Sequence, residues 1–594
     1  MVCYHDSRDP VYRAPSGAVP CATEVTLRLR VTEKVPDSVL LRIWNGKETF
    51  YPMHPSEEDA TLYEVCVTMP QTPCLVWYDF HIWEGGQFSW YGNAEDRLGG
   101  IGAPIWGEAR SYQITVYDAA FHVPEWTHGA VFYQIFPDRF RTDRAAHKRA
   151  GDRLLVAWDE PVAFHADAQT GDHYPVDFYG GSLRGIREKL PYLQELGVTA
   201  LYLNPCFAAT SNHRYDTIDW KKIDPLLGDE EDFRALCQAA EQVGIRVILD
   251  GVFSHAGALH PFFLQARNDR NSEHAKWFIF KSWPDDYKCW WGFRNLPELD
   301  KNNPDVRKYF ISDDDAVSRR WLRQGAAGWR LDVADELPMD YLRQLRTAVR
   351  AEDENAYLLG EVWEDASNKV SYGEMRCYCL GDTLDGVMNY PLRKAALAFL
   401  MGKISASRFK RHMDCLYENY PAPFASALLN VMGSHDRVRT LNVLAGVDGE
   451  DLPRSQRGKV RLSARQRELG KQRLKLMLQL ICMMPGMPCV YYGDEAGMEG
   501  AGDPFNRAPF PWGKEDKELQ AFFRQTLGQY HACPVLVDGA LAMEAPHDDV
   551  LFVQRKAQSG CALLAVNRGN RPHKASAFGH TVTLKARSCA FWQA

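Results

Sequence analysis

The sequence predicts an α/β fold: a (β/α)8 TIM barrel with an inserted subdomain after strand 3, an N-terminal β-sandwich and a C-terminal β-domain. Three observations predict it. Short apolar strands alternate with amphipathic helical stretches eight times between Val131 and Tyr491. One strand-to-helix connection, after Asp250, is too long for a plain loop. The flanks on either side read as short strands, without helical periodicity.

Residues 1–125 are assigned to the N-terminal β-sandwich. Val25–Val31, Leu40–Trp44, Tyr63–Val67 and Leu75–Ile82 alternate apolar and polar side chains, as half-buried strands do. Asn45-Gly46 and Gly85-Gly86 supply turns between them. Leu98–Gly102 is rich in glycine, but no strand–loop–helix unit surrounds it, so it reads as a loop.

The barrel is assigned to residues 126–510. Its strands read as Val131–Phe136, Ala200–Asn204, Arg246–Asp250, Gly328–Val333, Tyr357–Val362, Gly386–Asn389, Ala427–Met432 and Pro488–Tyr491. Helices are expected at Leu183–Leu196, Glu230–Val243, Pro304–Gln324, Asp340–Ala351 and Gln466–Met484. A doubly wound sheet is the alternative, though such sheets usually have fewer strands. The stretch 256–303, dense in tryptophan and phenylalanine, is read as a subdomain over the barrel mouth. Residues 511–594 are assigned to the C-terminal β-domain, with strands at Leu551–Gln554, Cys561–Val566 and Thr581–Leu584. Arg454–Lys475 reads as a solvated charged loop leading into a helix.

Composition narrows the function. Among 594 residues, 45% are hydrophobic and 25% charged, which excludes disorder, collagen and coiled coil as the main architecture. With 69 basic against 77 acidic residues the net charge is −8, so there is no broad basic field for nucleic acid. No apolar run is long enough to span a membrane, and no secretory leader is read at the start. Fifteen cysteines without framework spacing fit reduced thiols in the cytoplasm. Neither C-x-x-C nor H-E-x-x-H occurs, so no zinc site is expected.

Barrel enzymes place reacting groups at the carboxyl ends of the strands. Strand 3 ends in Asp250, with His255 following. Strand 4 carries Arg330 and Asp332. Strand 5 ends in Glu361, then Trp363, and strand 7 leads into His435 and Asp436. Taken singly, Asp250 reads as a loop cap or arginine partner, and each histidine as an ordinary hydrogen-bonded one. Together, several carboxylates on one face are costly unless they do chemistry. Glycoside hydrolysis needs such a set: one carboxylate attacks, and a second is protonated and donates to the leaving oxygen. A third would help to keep that proton in place, and an arginine would hold the nucleophile ionised.

The chain resembles the α-amylase superfamily of glycoside hydrolases (family 13), and within it the neopullulanase, cyclomaltodextrinase and maltogenic amylase group. The resemblance rests on VFYQIFPDRF from Val131, HRYDTIDWKKIDPLLGD from His213, DGVFSH from Asp250 and LPELDKNNPDV from Leu296. It continues with GWRLDVADE from Gly328, GEVW from Gly360, SHDRVRT from Ser434 and GMPCVYYGDE from Gly486. It implies Asp332 as nucleophile, Glu361 as acid/base and Asp436 as transition-state stabiliser. It implies sugar binding by His213, Tyr215, His255, Arg330, Trp363 and His435, with Arg439 pairing a carboxylate at the mouth and Asp250 as structural support. Trp363 would line a leaving-group subsite.

Departures from the family pattern fall outside that core. The first loop, RFRTDRAAHKRAGD from Arg139, lacks the family's calcium cluster, so no metal or other cofactor is implied. Asp335, Glu364, Arg214 and Glu298 stand where relatives usually carry Asn, His, Gly and Lys. The first three lie at or near leaving-group subsites in relatives; Arg214 and Glu364 read equally as surface changes.

The expected activity is retaining cleavage of α-1,4-glucosidic bonds in cyclodextrins, maltodextrins and pullulan, with α-1,6 cleavage and transglycosylation as side outcomes. The alternatives are an α-1,6-selective debranching glucosidase, a glucan transferase and an inactive carbohydrate-binding scaffold. The expected partner, besides α-glucan oligosaccharides, is a second copy bound through the N-terminal domain, making a homodimer.

Overall fold

The computed structural model describes all residues except 1, 144, 152, 168–170 and 172, and the side chain of His147. Arg144 and Asp152 of the first-loop stretch therefore lie outside the described residues. The chain forms two compact units: 1–123 with 364–385 and 407–425, and 124–363 with 386–406 and 426–594.

The second unit contains the barrel. Its strands are β1 (Phe132–Ile135), β2 (Ala200–Leu203), β3 (Arg246–Gly251), β4 (Gly328–Leu331), β5 (Tyr357–Gly360), β6 (Gly386–Val387), β7 (Leu429–Val431) and β8 (Met487–Tyr491). All pair in parallel, in the spatial order 6-5-4-3-2-1-8-7. A parallel bridge between Met388 and Leu429, with Asn389 N–H donating to Leu429 O at 2.8 Å, closes the ring. The doubly wound alternative is thereby excluded. Strands covered on both sides lack apolar/polar alternation, and β1, β2, β4 and β5 are buried throughout. Gly328, at φ +149°, lets β4 and β5 approach, since a Cβ there would stand 2.1 Å from Tyr357 O.

Helices sheathe the strands by their apolar stripes. In Glu230–Gln242, Phe233, Leu236, Cys237 and Ala240 recur at helical spacing and are buried, and Asp229 caps the Asp232 N–H at 2.9 Å. Fully burying a side chain the size of Phe233 or Leu236 contributes about 1.5–3 kcal/mol. Two expected helices are interrupted. Leu183–Leu196 breaks at Lys189 and restarts at Leu190, because Pro191 is accommodated only in a first turn. Pro304–Gln324 divides into Pro304–Arg307, a wider π turn over Lys308–Ser312, and Val317–Arg323. Between the last two, the Asp313 side chain accepts the Asp314 N–H at 2.8 Å, a local bond that competes with helix.

The insert holds a helix, Pro261–Asn268, and a small strand pair, Phe280–Ser282 with Asp286–Tyr287. A bridge between His255 and Glu298 ties its two ends together. The segment expected to open the C-terminal β-domain at 511 is instead helical over Lys517–His531, a stretch with buried Leu519, Phe523, Leu527 and Tyr530. The C-terminal strands begin only afterwards: β9 (Ala540–His547), β10 (Val550–Ala557), β11 (Gly560–Asn567), β12 (His573–Ala577), β13 (His580–Leu584) and β14 (Ser588–Gln593). Strands 9-10-11-14 form one antiparallel sheet and β12–β13 a hairpin.

The first unit is a folded-over antiparallel sheet. Glu48–Pro55 pairs with Ser38–Trp44 along its length and, through His54 and Pro55, with Leu62–Thr68. Val25, Leu27, Leu29, Leu41, Val76, Tyr78 and Phe80 fill its core. Among the described residues no helix is long and apolar enough to cross a membrane.

Candidate active site

The strand ends bring most of the expected residues together around one guanidinium. Arg330 rises from β4 fully buried, and its Nη1 lies 2.7 Å from Asp250 Oδ1 and 2.8 Å from Asp332 Oδ1. Its Nη2 makes an ion contact of 2.9 Å with Glu361 Oε2. The backbone turns sharply after Asp332: Val333 sits at φ 42°, ψ 60°, a region that β-branched residues avoid. That turn aims the Val333 N–H at Glu361 Oε2, 2.9 Å away. Among the described residues no donor reaches Asp332 Oδ2 or Glu361 Oε1, so each acid keeps one oxygen for a ligand.

Asp250 is saturated instead. Its Oδ2 accepts from Tyr202 Oη at 2.7 Å and from Tyr215 Oη at 2.9 Å, while Oδ1 holds Arg330. Asp436 follows β7 and is the most open of the acids, with its side chain 32% exposed. Its Oδ1 stands 3.2 Å from His435 Nε2 and 3.6 Å from Arg507 Nη2. The His435 ring lies parallel to that of Tyr215 at 5.5 Å and 8°, with its Nε2 2.6 Å from Tyr215 Oη and its Nδ1 2.8 Å from Gln134 Nε2. His255 is fixed by Ser254 Oγ at 2.8 Å and by Tyr215 O at 3.2 Å. His213 accepts the Tyr215 N–H at 3.1 Å, with its ring beside that tyrosine.

Two arginines, Arg330 and Arg507, face four acids that are drawn out of water together. Burial pushes Asp332 well above the ordinary carboxylate range; Arg330 opposes this, while Glu361 and Asp250 add to it. Burial, then the Glu361 charge, pushes Asp436 up to about 7. Burial lowers His255 to about 3 and pushes His435 well below the ordinary imidazole range, so both rings are neutral near pH 7.

Arg439 pairs with a carboxylate, as expected, its Nη1 3.2 Å from Asp494 Oδ1, but it is fully buried, over the rings of Tyr491 and Tyr492. Trp363 has both indole faces covered. Tyr390 stacks on one at 4.0 Å and 5°, and the Arg437 guanidinium lies 5.0 Å over the ring on the other. Only its edge is left for a sugar. Of the departures, Arg214 is buried, at φ 63°, with Nε 3.4 Å from Asp224 Oδ2, so it is no surface change. Glu364 is exposed and pairs with Lys369. Glu298 makes a half-enclosed pair with Lys288 at 2.8 Å and Lys301 at 3.3 Å.

Sequence reading missed Gln134, Tyr202, Asn204, Tyr390, Arg437 and Arg507. The first three are polar residues at or just beyond the ends of β1 and β2, which is a usable signal. Arg507 lies in the loop after β8, and nothing local marks it.

The fold and the acidic hub together define a barrel of the glycoside hydrolase kind. The chain belongs to the alpha-amylase family, whose catalytic-domain model matches residues 134–532. It is 33% identical over 639 residues to an amylopullulanase from Thermoanaerobacter thermohydrosulfuricus, covering 95% of this chain and 42% of that protein. It is 34% identical over 463 residues to a cyclomaltodextrinase from Geobacillus thermopakistaniensis, covering 76% of this chain and 70% of that one. The type III pullulan hydrolase from Thermococcus kodakarensis matches in structure with a TM-score of 0.71 at 26% identity, over 99% of this chain and 100% of that chain. The chain spans less than half the length of the amylopullulanases it matches.

Proposed function

We propose that this chain is a retaining α-glucan hydrolase working by double displacement between Asp332 and Glu361. The observation that carries the reading is the pairing of both acids on Arg330, each with one oxygen held and one free. Carboxylates on the two Nη atoms of one guanidinium are close-set, as the spacing of about 5 Å in retaining enzymes requires. Asp332 Oδ2 attacks the anomeric carbon. Because Glu361 Oε2 already accepts the Val333 N–H, the catalytic proton sits on Oε1 and passes to the leaving oxygen. The glycosyl ester on Asp332 is then opened by water, which gives its proton back to Glu361.

Asp436 binds hydroxyls of the reacting sugar, and His435 and His255 line its subsite, each neutral imidazole giving its single N–H to Tyr215. Arg330 holds both acids in place, and no cofactor enters these steps. The substrates are cyclodextrins, maltodextrins and pullulan, cut at α-1,4 bonds with some α-1,6 cleavage. The kinship with an amylopullulanase, a cyclomaltodextrinase and a pullulan hydrolase supports that range. We further read the protein as a cytoplasmic homodimer through the N-terminal unit. Fifteen unpaired cysteines support a reducing compartment. The exposed aromatics Trp44, Phe50 and Phe88 on the N-terminal sheet support a contact surface.

The test is a product profile on β-cyclodextrin, pullulan, maltoheptaose and starch, with Asp332→Asn as control and the mass in solution measured alongside. Cyclodextrin opening to maltose, lost in the variant, is expected. Near-normal rates in the variant would overturn the mechanism. Activity on α-1,6 bonds alone would overturn the substrate range.

A further inference from the structure

Far from the barrel mouth in sequence, the C-terminal strands bring three metal-ligating side chains together. His547 ends β9, Asp549 lies in the turn to β10, and His573 opens β12. One ligand atom from each lies within 4.8 Å of the others. The two imidazole rings are 4.2 Å apart between centroids, and His573 Nε2 stands 3.9 Å from Asp549 Oδ2. We propose that His547, Asp549 and His573 form a binding site for a divalent transition ion of the Zn2+ class, clipping the β12–β13 hairpin to the β9–β10 turn.

The donor set selects the ion. Two imidazoles and one carboxylate suit Zn2+ and its neighbours, whereas Ca2+ and Mg2+ require oxygen. Bonds of about 2.0–2.2 Å need the donors closer than they stand, a closure that small side-chain rotations supply at an accessible site. The carboxylate is already oriented. Arg568 Nε donates to Asp549 Oδ1 at 2.8 Å, and its backbone N–H donates to Asp549 O at 3.1 Å, which leaves Oδ2 turned to His573. His547 has a lone pair on Nδ1, occupied only by a long 3.2 Å bond from the Asp549 N–H. The fourth position stays open to water, which suits a structural clip at a surface.

The hairpin has reason to need a clip. β12 itself reaches the core through two small side chains, Ala575 and Ala577, while Phe578 at the turn and Val582 and Leu584 of β13 supply the larger ones. Alanines bury little apolar area, so the start of β12 is the more weakly held end of the hairpin. A metal joining His573 to the β9–β10 turn ties the start of β12 to the neighbouring sheet, and by binding only the folded state it raises stability.

The experiment uses the full chain freed of metal by chelation. Zn2+ binding is followed by calorimetry, and amide exchange is followed across His573–Leu584. The wild type is expected to bind one equivalent that His573→Gln and His547→Gln each weaken at least tenfold. Exchange in the hairpin should slow with Zn2+ in the wild type only. Zn2+ taken up by thiols persists in the double variant and is subtracted. Both substitutions lie at the surface, so metal-free melting temperatures should match. Equal binding in the double variant, or hairpin exchange indifferent to Zn2+, overturns the proposal.

Discussion

Two arginine–carboxylate clusters in this molecule use the same groups in opposite proportions. In the first unit, Glu418 receives Arg8 Nε on one oxygen at 2.8 Å and Arg13 Nη1 on the other at 3.2 Å. Arg13 spends further N–H groups on the carbonyls of Gln113 and Gly17. Two cations meet one acid, both carboxylate oxygens are used, and the cluster is structural. At the barrel mouth one arginine meets Asp250, Asp332 and Glu361, with Asp436 close by. There the catalytic acids each keep a free oxygen, and acids outnumber the two cations, Arg330 and Arg507. A buried ion cluster becomes reactive when its cation is outnumbered.

That contrast is open to test. Asp332→Asn removes the attacking oxygen without changing shape, so turnover should fall by roughly 10⁴-fold or more while the melting curve barely moves. Steady-state rates beside thermal melts check it. Glu361→Gln should cost about 10²–10⁴-fold on oligosaccharides and far less on an aryl glucoside whose leaving group needs no proton. Equal losses on both substrates would remove Glu361 from proton transfer.

In the structural cluster the effect should reverse. Glu418→Ala leaves the fully buried Arg13 and the partly exposed Arg8 without their shared carboxylate and should lower unfolding free energy by about 3 kcal/mol with kcat unchanged, as read by denaturant titration.

The pH profile sharpens the comparison. Acids raised by burial hold their proton at low pH and lose it as pH rises, so kcat/KM should fall on the alkaline side from about 7. Asp436→Asn removes the group pushed up to about 7, and the alkaline limb should leave that position. A limb that stays in place would detach Asp436 from the shared protons. The smallest effect belongs to the cover on Trp363: Arg437→Ala uncovers one indole face and should change KM by less than about fivefold, since an exposed cation–π contact is worth about 0.5–1 kcal/mol.

Much of this was legible in the sequence because a parallel barrel writes its strands as apolar runs that end in polar residues. Asp250, Asp332 and Glu361 end or follow such runs, which is why strand ends alone picked them out. The breaks within helices were less legible: Pro191 was a readable stop, but the turn at Asp313 depends on one local side-chain bond. Crowding was not legible at all. The two covers on Trp363 come from Tyr390 and Arg437, distant in the chain, and the burial of Arg439 depends on how β7 and β8 pack. The pairing of His547 with His573 depends on a hairpin folding back, which spacing does not encode.

The most direct test of the central claim is to trap the intermediate. A fluorinated α-glucosyl fluoride, slow to deglycosylate, is reacted with the enzyme, and the labelled peptide is located by mass spectrometry. The account predicts one sugar, on the peptide carrying Asp332 and absent from Asp332→Asn. Label on Glu361 or Asp436, or turnover with inverted anomeric configuration and no label, would contradict it.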